Sequence, residues 1–358
     1  MNWIGIIENT IKALIGINAV YFALAAIGLN VQFGYAGLLN FGQAAFMACG
    51  AYGLGMTAHY FQINMWWGVL IGLGFSLVLA LLLGVPTLRL RADYLAIVTI
   101  AAAEIVRLVV RSVRFNEYFN GSDGINNFGG PFQRLGSVDW RIFDQVQLFK
   151  LNPQQRDYGP SLTIPGVDWT INVEFTGRQL WALIVGWGLV LILGSFVYML
   201  MRSPWGRVLK GIREDETAVA SLGKNVFGYK MSALIIGGLI GTFAGFMLAL
   251  DRGSVQPDNY SRDVTFYILT ALVLGGLATV TGSIVGPMIF WAVFQFADVF
   301  LREAVGREGI TLFNLRILDT TQVGPTNQIL IGMLLILLMV YRPQGLFGNR
   351  KEMAIDAR

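Results

Sequence analysis

Gln179-Leu-Trp-Ala-Leu-Ile-Val-Gly-Trp-Gly-Leu-Val-Leu-Ile-Leu-Gly-Ser-Phe-Val-Tyr-Met-Leu-Met201 carries no charged residue. An α-helix needs about 20 predominantly apolar residues to cross the hydrocarbon core of a bilayer. The run ends at Arg202, where a basic stretch begins. Outward from it, further apolar runs occupy residues 13–30, 43–59, 64–85, 94–110, 229–250, 264–281, 284–301 and 328–341. They predict an all-α polytopic membrane protein of about eight to ten transmembrane helices, with broken or re-entrant Gly-rich segments and an external loop insertion.

Composition points the same way. Of 358 residues, 55% are hydrophobic and 13% charged, and mean hydropathy is +0.59. A soluble domain carries about 25% charged residues, so this chain lacks the polar surface to cover a water-exposed body. The 43 glycines fit close helix approach in lipid, where small residues mark the contacts. A net charge of +4, dispersed along the chain, does not suggest nucleic acid. One cysteine (Cys49) and one histidine (His59) leave no internal disulfide and no Cys/His metal set. The N-terminus lacks the basic n-region of a cleaved signal peptide, so insertion is expected to rely on the first span.

Short-loop Lys and Arg residues set orientation. The loop 202–230 holds Arg202, Arg207, Lys210, Arg213, Lys224 and Lys230 against Glu214, Asp215 and Glu216, and the tail from Arg342 is also basic. Both are expected to be cytoplasmic. Residues 112–178, 251–263 and 302–327, and by parity the N-terminus, then fall outside. The chain divides into N-terminal helices (1–111), an external segment (112–178), C-terminal helices (179–348) that include the cytoplasmic loop, and a tail (349–358). Segment 112–178 is polar, contains Pro131, Pro153, Pro160 and Pro165, and has β-leaning stretches at Leu162-Thr-Ile and Trp169-Thr-Ile-Asn-Val. It reads as a small, partly β cap, with a disordered insertion as the alternative.

Gly34-Tyr-Ala-Gly-Leu-Leu-Asn-Phe-Gly-Gln43 breaks the apolar pattern at membrane depth and brings Asn30, Gln32, Asn40 and Gln43 with it. Backbone released from a helix inside a bilayer must be buried in protein or line a polar cavity. In transporters such breaks often build the substrate path. Two readings follow for the four amides: they line a translocation path, or they cap a tight Gly-rich turn. A second break, Gly275-Gly-Leu-Ala-Thr-Val-Thr-Gly-Ser-Ile-Val-Gly-Pro287, hints at an internal repeat. Glu104 lies within a span, with Arg107 and Arg111 on the same helical face. It either pairs with Arg107 or meets substrate. Asp298, near the end of another span, can simply reach the interface. In the cytoplasmic loop Pro204 can open a helix, and Glu216–Leu222 suits a short amphipathic one ended by Gly223. That loop is either a lever for a soluble partner or a solvated connector. The chain holds no G-x-x-x-x-G-K-[ST] motif, so it is expected not to hydrolyse ATP itself.

Several stretches together resemble the inner-membrane permeases of branched-chain amino acid ABC importers, the LivM type. They are Ala26-Ile-Gly-Leu-Asn30, Phe33 to Phe46, Leu90-Arg-Ala-Asp-Tyr-Leu-Ala-Ile-Val-Thr99, Glu104-Ile-Val-Arg-Leu108, Gly121-Ser-Asp-Gly-Ile125, Gly206-Arg207 with Gly211-Ile-Arg-Glu-Asp-Glu216, Gly275-Gly276 with Gly282, and Tyr341-Arg-Pro-Gln-Gly-Leu-Phe347. The resemblance implies a subunit translocating branched-chain or related amino acids across the plasma (inner) membrane. Its implied partners are a second homologous permease, two cytoplasmic ATPase subunits that bind the ATP, and an external substrate-binding protein. It requires no cofactor in this chain. By the same resemblance, Arg213, Glu214, Asp215, Glu216 and Gly223 belong to the loop that docks on an ATPase. Thr217 and the Glu216-to-Gly223 spacing depart from the strict form of that loop, and 132–177 is longer than the family's usual link. The alternatives are a urea or short-amide permease of the same family and, in another class, an ion-coupled secondary transporter.

Overall fold

A computed structural model describes residues 3–61, 64–88, 92–135, 157–158, 161–163, 170–305, 310–312, 315–318, 320–342 and 344–348. The helices in chain order begin with α1 (Trp3–Ile15), α2 (Ile17–Leu29), α3 (Gln43–His59), α4 (Met65–Thr87) and α5 (Ala92–Arg111). The short α6 (Asn116–Phe119) and α7 (Gly130–Leu135) follow, and then α8 (Gly177–Arg202), α9 (Pro204–Glu214) and α10 (Glu216–Ser221). The chain continues with α11 (Val226–Arg252), α12 (Arg262–Gly275), α13 (Val280–Val305) and α14 (Val323–Tyr341). Each apolar run of the sequence lies mostly in helix, and Trp3–Tyr35, Met65–Thr87, Gly177–Arg202, Val226–Arg252 and Val280–Val305 are long and apolar enough to cross a membrane. This is an all-α polytopic membrane protein.

The centre of the bundle is α2, which is buried from Ala19 to Leu29 and packs on α11, α13 and α8. Its apolar residues point in every direction, as an interior helix requires. α11 crosses it where Gly28 and Gly237 face each other, and a Cβ on either would lie 2.4 Å from the other's carbonyl oxygen. In lipid, where no hydrophobic drive pulls helices together, such backbone proximity supplies the attraction. α3 meets α4 the same way at Gly53 and Gly72. By contrast α4 and α8 show large apolar side chains outward, including Trp66, Leu82, Leu191 and Met199.

α8 starts at a capping box in which Thr176 and Gln179 satisfy each other's backbone N–H groups. It ends at Ser203, after which Pro204 opens α9. α11 then returns, so 203–225 lies at one end of the bundle and 253–261 at the other. The second end also holds residues from the long polar segment: Ile125–Asn126 pair antiparallel with Ser254–Val255. Arg107 reaches Asp258 there at 2.8 Å. Two of the segments that the sequence assigns to one side of the membrane, 112–178 and 251–263, thus meet at one end of the molecule.

Within 112–178 there are antiparallel pairs between Asp157–Tyr158 and Phe175–Thr176 and between Ser161–Thr163 and Thr170–Asn172. Residues 136–156, the tail 349–358 and Leu90-Arg91 of the quoted motif lie outside the described residues. Two helix limits differ from the periodicity. The run 264–281 stops as helix at Gly275, because the carbonyls of Leu274 and Gly275 accept the N–H groups of Leu346 and Phe347 instead of continuing the helix. The first span is longer than its apolar run: α1 precedes α2, with the joint at Gly16.

Candidate functional site

After Leu29 the chain does not leave the helix at once. Asn30–Tyr35 forms six residues of π-helix, with Asn30, Val31, Gln32, Gly34 and Tyr35 buried. Irregular backbone then runs to Gln43, where α3 begins. π turns are rare and recur at functional sites, because the extra residue per turn leaves the backbone hydrogen bonds weakly matched. Asn40 takes up one backbone group released by the break, Gly42 N–H, and the other three amides reach backbone groups of neighbouring elements.

Asn30 Nδ2 donates to the Thr279 carbonyl at 3.0 Å, and its Oδ1 accepts from Ala278 N–H at 2.9 Å. One side chain therefore joins the first Gly-rich break to the second. Gln32 Nε2 donates to the Leu234 carbonyl of α11 at 2.9 Å. Asn40 Nδ2 donates to Gln32 Oε1 at 2.6 Å, while Asn40 Oδ1 accepts from Gly42 N–H at 2.8 Å. Gln43 Nε2 lies 3.3 Å from both the Ala25 and Gly237 carbonyls. All four amides are 0–1% exposed. Asn40 joins Gln32 and Gln43, and Asn30 reaches the second break instead. In this conformation, however, they are hydrogen-bonded clamps inside the bundle and not walls of an open path. The reason is the backbone: each free N–H or C=O at this depth must find a partner within the protein.

Two further participants escape the sequence reading. Thr99 Oγ1 accepts from Phe41 N–H at 3.0 Å, and Thr265 Oγ1 accepts from Ala44 N–H at 2.9 Å. Each is a threonine hydroxyl within a membrane helix, a signal too common to single out. Leu39 and Phe41 are partly exposed members of the break, and the Phe41 ring stacks on Phe266 of α12 with centroids 5.7 Å apart.

Glu104 stands apart from this cluster. It pairs with Arg107 at 2.5 Å, and Arg107 and Arg111 reach Asp258 at 2.8 and 3.5 Å. Of the two readings of Glu104, the ion pair is the one present. Asp298 is likewise paired, with Arg302 at 2.8 Å.

At the other end, α9 buries Gly206, Leu209 and Ile212 along one face and turns its charges elsewhere. Asp215 is extended (φ −151°) and caps α10, its carboxylate accepting from Thr217 N–H at 2.9 Å and Ala218 N–H at 3.0 Å. Hydrogen bonding, first from the Thr217 hydroxyl, holds this carboxyl below the usual carboxylate range. Glu216 forms an ion pair with Lys230 of α11. Gly223 sits in the left-handed region (φ +73°) and ends the helix. Arg213 differs from the outward docking residue the sequence suggests. Its guanidinium Nη1 turns inward and donates to the Gly34 carbonyl at 2.5 Å. A cavity of about 230 Å³ lies beside it, lined by Gly37, Leu38, Leu88, Arg213, Glu216 and Lys230.

Residues 13–339 match the family described as branched-chain amino acid transport system / permease component. The chain belongs to that family. Among relatives of this permease is the high-affinity branched-chain amino acid transport system permease protein LivM of Escherichia coli, 29% identical over 91% of this chain and 67% of LivM. The probable LivM of Methanocaldococcus jannaschii is 24% identical over 92% of this chain and 91% of its own length. The permease protein LivH, also of Escherichia coli, is 24% identical over 78% of this chain and 82% of LivH. Thus one organism holds two permease proteins of one named system, and this permease resembles both.

Proposed function

We propose that this permease is the transmembrane subunit of an ABC importer that carries branched-chain or related amino acids inward across the plasma (inner) membrane. The observation that carries the reading is the family match across 327 consecutive positions, residues 13–339. It is supported by relatives whose names assign them to branched-chain amino acid transport. The resemblance to both LivM and LivH supports a second, homologous permease as the pairing partner. The remaining subunits of the proposed complex are two cytoplasmic ATPases, where ATP binds, and an external substrate-binding protein. The absence of a phosphate-binding loop from the sequence supports the division of labour.

In this reading the exposed helix α10, with Leu222 beyond it, is the surface that an ATPase subunit engages. ATP binding and hydrolysis in the partners move that surface, and the paired permeases expose their path alternately to the docked binding protein and to the cytoplasm. Glu214, Asp215, Glu216 and Gly223 belong to the docking element, whereas Arg213 turns away from it towards Gly34. Asn30, Gln32, Asn40 and Gln43 hold the break that must rearrange when the path opens.

The test is reconstitution of this permease with its partner subunits in proteoliposomes. Leucine uptake is expected to require ATP and the binding protein together. Uptake by the isolated chain on a proton or sodium gradient would replace the reading with secondary transport. Competition that favours urea or short amides over leucine would keep the class and change the substrate.

A further inference from the structure

We infer that Arg213 is a positioning residue, a latch through which movement of the α9–α10 pair reaches the π segment at Asn30–Tyr35. The inference rests on the proposed ATPase-driven function and adds a named mechanical link to it. Arg213 is the last basic residue of α9, separated from α10 by Glu214 and Asp215. Its guanidinium donates to the carbonyl of Gly34, inside the π segment, at 2.5 Å. A hydrogen bond with an ionised donor is about twice as strong as a neutral one and more directional.

The grip is not a single contact. Lys210 lies one turn earlier on α9, and its ammonium sits 5.6 Å over the Tyr35 ring. Spacing of three residues puts both cations on one face of α9. Gly37 turns with φ +66°, and a Cβ there would stand 3.3 Å from Arg213 Cγ, so the chain leaving the π segment closes against the arginine stem. The adjacent cavity is also lined by Glu216 and Lys230, which tie α10 to α11. The cavity leaves the guanidinium space to shift.

What lies beyond the latch makes it consequential. Asn30 Oδ1 occupies the space that a Gly34 side chain would fill, and a Cβ on Gly34 would also lie 2.8 Å from Ala278 N. Asn30 in turn holds Ala278 and Thr279 at the second break. A shift of the Gly34 carbonyl is therefore felt at both breaks. A six-residue π stretch differs from α-helix by a small change of register, which gives the segment a second arrangement to move into.

The experiment uses the complete reconstituted transporter and compares R213Q and R213K with the unsubstituted permease, reading both ATP hydrolysed and substrate transported per assembled complex. R213Q is expected to hydrolyse ATP while transport per ATP falls about tenfold or more, the scale of one charge-assisted hydrogen bond. R213K, which keeps a cation but loses the planar fork, should fall between. A second readout follows a single cysteine at Leu39, with Cys49 replaced. Its maleimide reactivity should differ between nucleotide-free and ATP-trapped complexes, and the difference should vanish in R213Q. If the arginine merely supports the fold, complex yield drops while transport per ATP and the nucleotide-dependent labelling stay unchanged, which overturns the latch. Where R213Q does not assemble, R213K decides by the same ratio. Failure of the unsubstituted complex to couple ATP to uptake would sink the functional reading, and the latch with it.

Discussion

Asn30 joins two interruptions of the bundle with one carboxamide, and this is why it cannot be replaced by an apolar residue of similar size. Removing it strands Ala278 N–H and leaves the Thr279 carbonyl with the Ser283 N–H alone, and a buried group stranded in this way costs about 1–3 kcal/mol. Asn30→Leu should therefore melt well below the parent in detergent, and an unchanged melting temperature would mean that water takes over both bonds. The same logic turns the reading of Asn40 and Gln43 towards structure. Leu at either position should lower the amount of folded permease more than the transport per folded molecule. A selective loss of transport at unchanged thermal stability would return them to the path. Asp215 makes a prediction of opposite character. Its carboxyl is held low by the Thr217 hydroxyl and the first N–H groups of α10, so the cap contributes at pH above the unfolded carboxylate pKa of about 3.9. It is lost only as pH falls through the depressed folded value. Uptake should show no titration from this group between about pH 5 and 8. Asp215→Asn, still a good cap, should work, and Asp215→Ala should not. Loss of uptake in both variants would give the charge itself a role.

The helix pair α9–α10 shows what sequence can and cannot specify at the level of elements. Pro204, the acid at Asp215 and Gly223 are punctuation that any helix would need at those places, and all three act as such in the structure. The direction in which a long side chain turns has no such local signature. Arg213 reads as one charge of an exposed set, yet tertiary contact draws it inward to Gly34. The π segment is hidden for a related reason. Asn30, Gln32 and Gly34 mark a break in the sequence but not its form, which depends on distant partners: the Leu234 carbonyl, Ala278 N–H and Arg213. The end of α12 at Gly275 was legible as the start of the second Gly-rich break, but its partners were not: residues 346–347, some seventy positions away, donate to its last carbonyls. α10 itself is six residues long, far below the roughly 12 at which an isolated helix persists. Its cap and its neighbours hold it. Ala220 lies past the first turn, so proline there removes a helical hydrogen bond and clashes with the preceding turn, at a cost of about 3 kcal/mol. Ala220→Pro should reach the membrane and pair normally, while substrate-stimulated ATP hydrolysis and uptake fall together. Normal uptake at matched expression would remove α10 from the docking role.

At the scale of the whole molecule, charge bears on which side each loop faces, and helix length on which loops share a side. Basic residues concentrate in 202–230, and loops rich in Lys and Arg stay in the cytoplasm. The structure contributes geometry without reference to charge: α8 and α11 are 26 and 27 residues long, so at 1.5 Å per residue each is about 40 Å, enough to separate their ends by a full membrane. The loop between them therefore faces one compartment. The segment following α11 faces the other, and it is bonded to Ile125–Asn126 of the long polar insertion. The ion pairs of Arg107 and Arg111 with Asp258 sit at that second end, where water screens them, so each contributes little to stability, about 0–1 kcal/mol. Their presence still marks the end as polar and wet. Labelling can decide the orientation in a permease whose Cys49 has been replaced. A cysteine at Glu117, exposed next to α5, should react with an impermeant maleimide in intact cells. One at Ser221, exposed on α10, should react only after the membrane is opened. The reverse pattern would place α10 outside, beyond the reach of any cytoplasmic ATPase, and would undo the proposed coupling even if every contact described within the chain were correct.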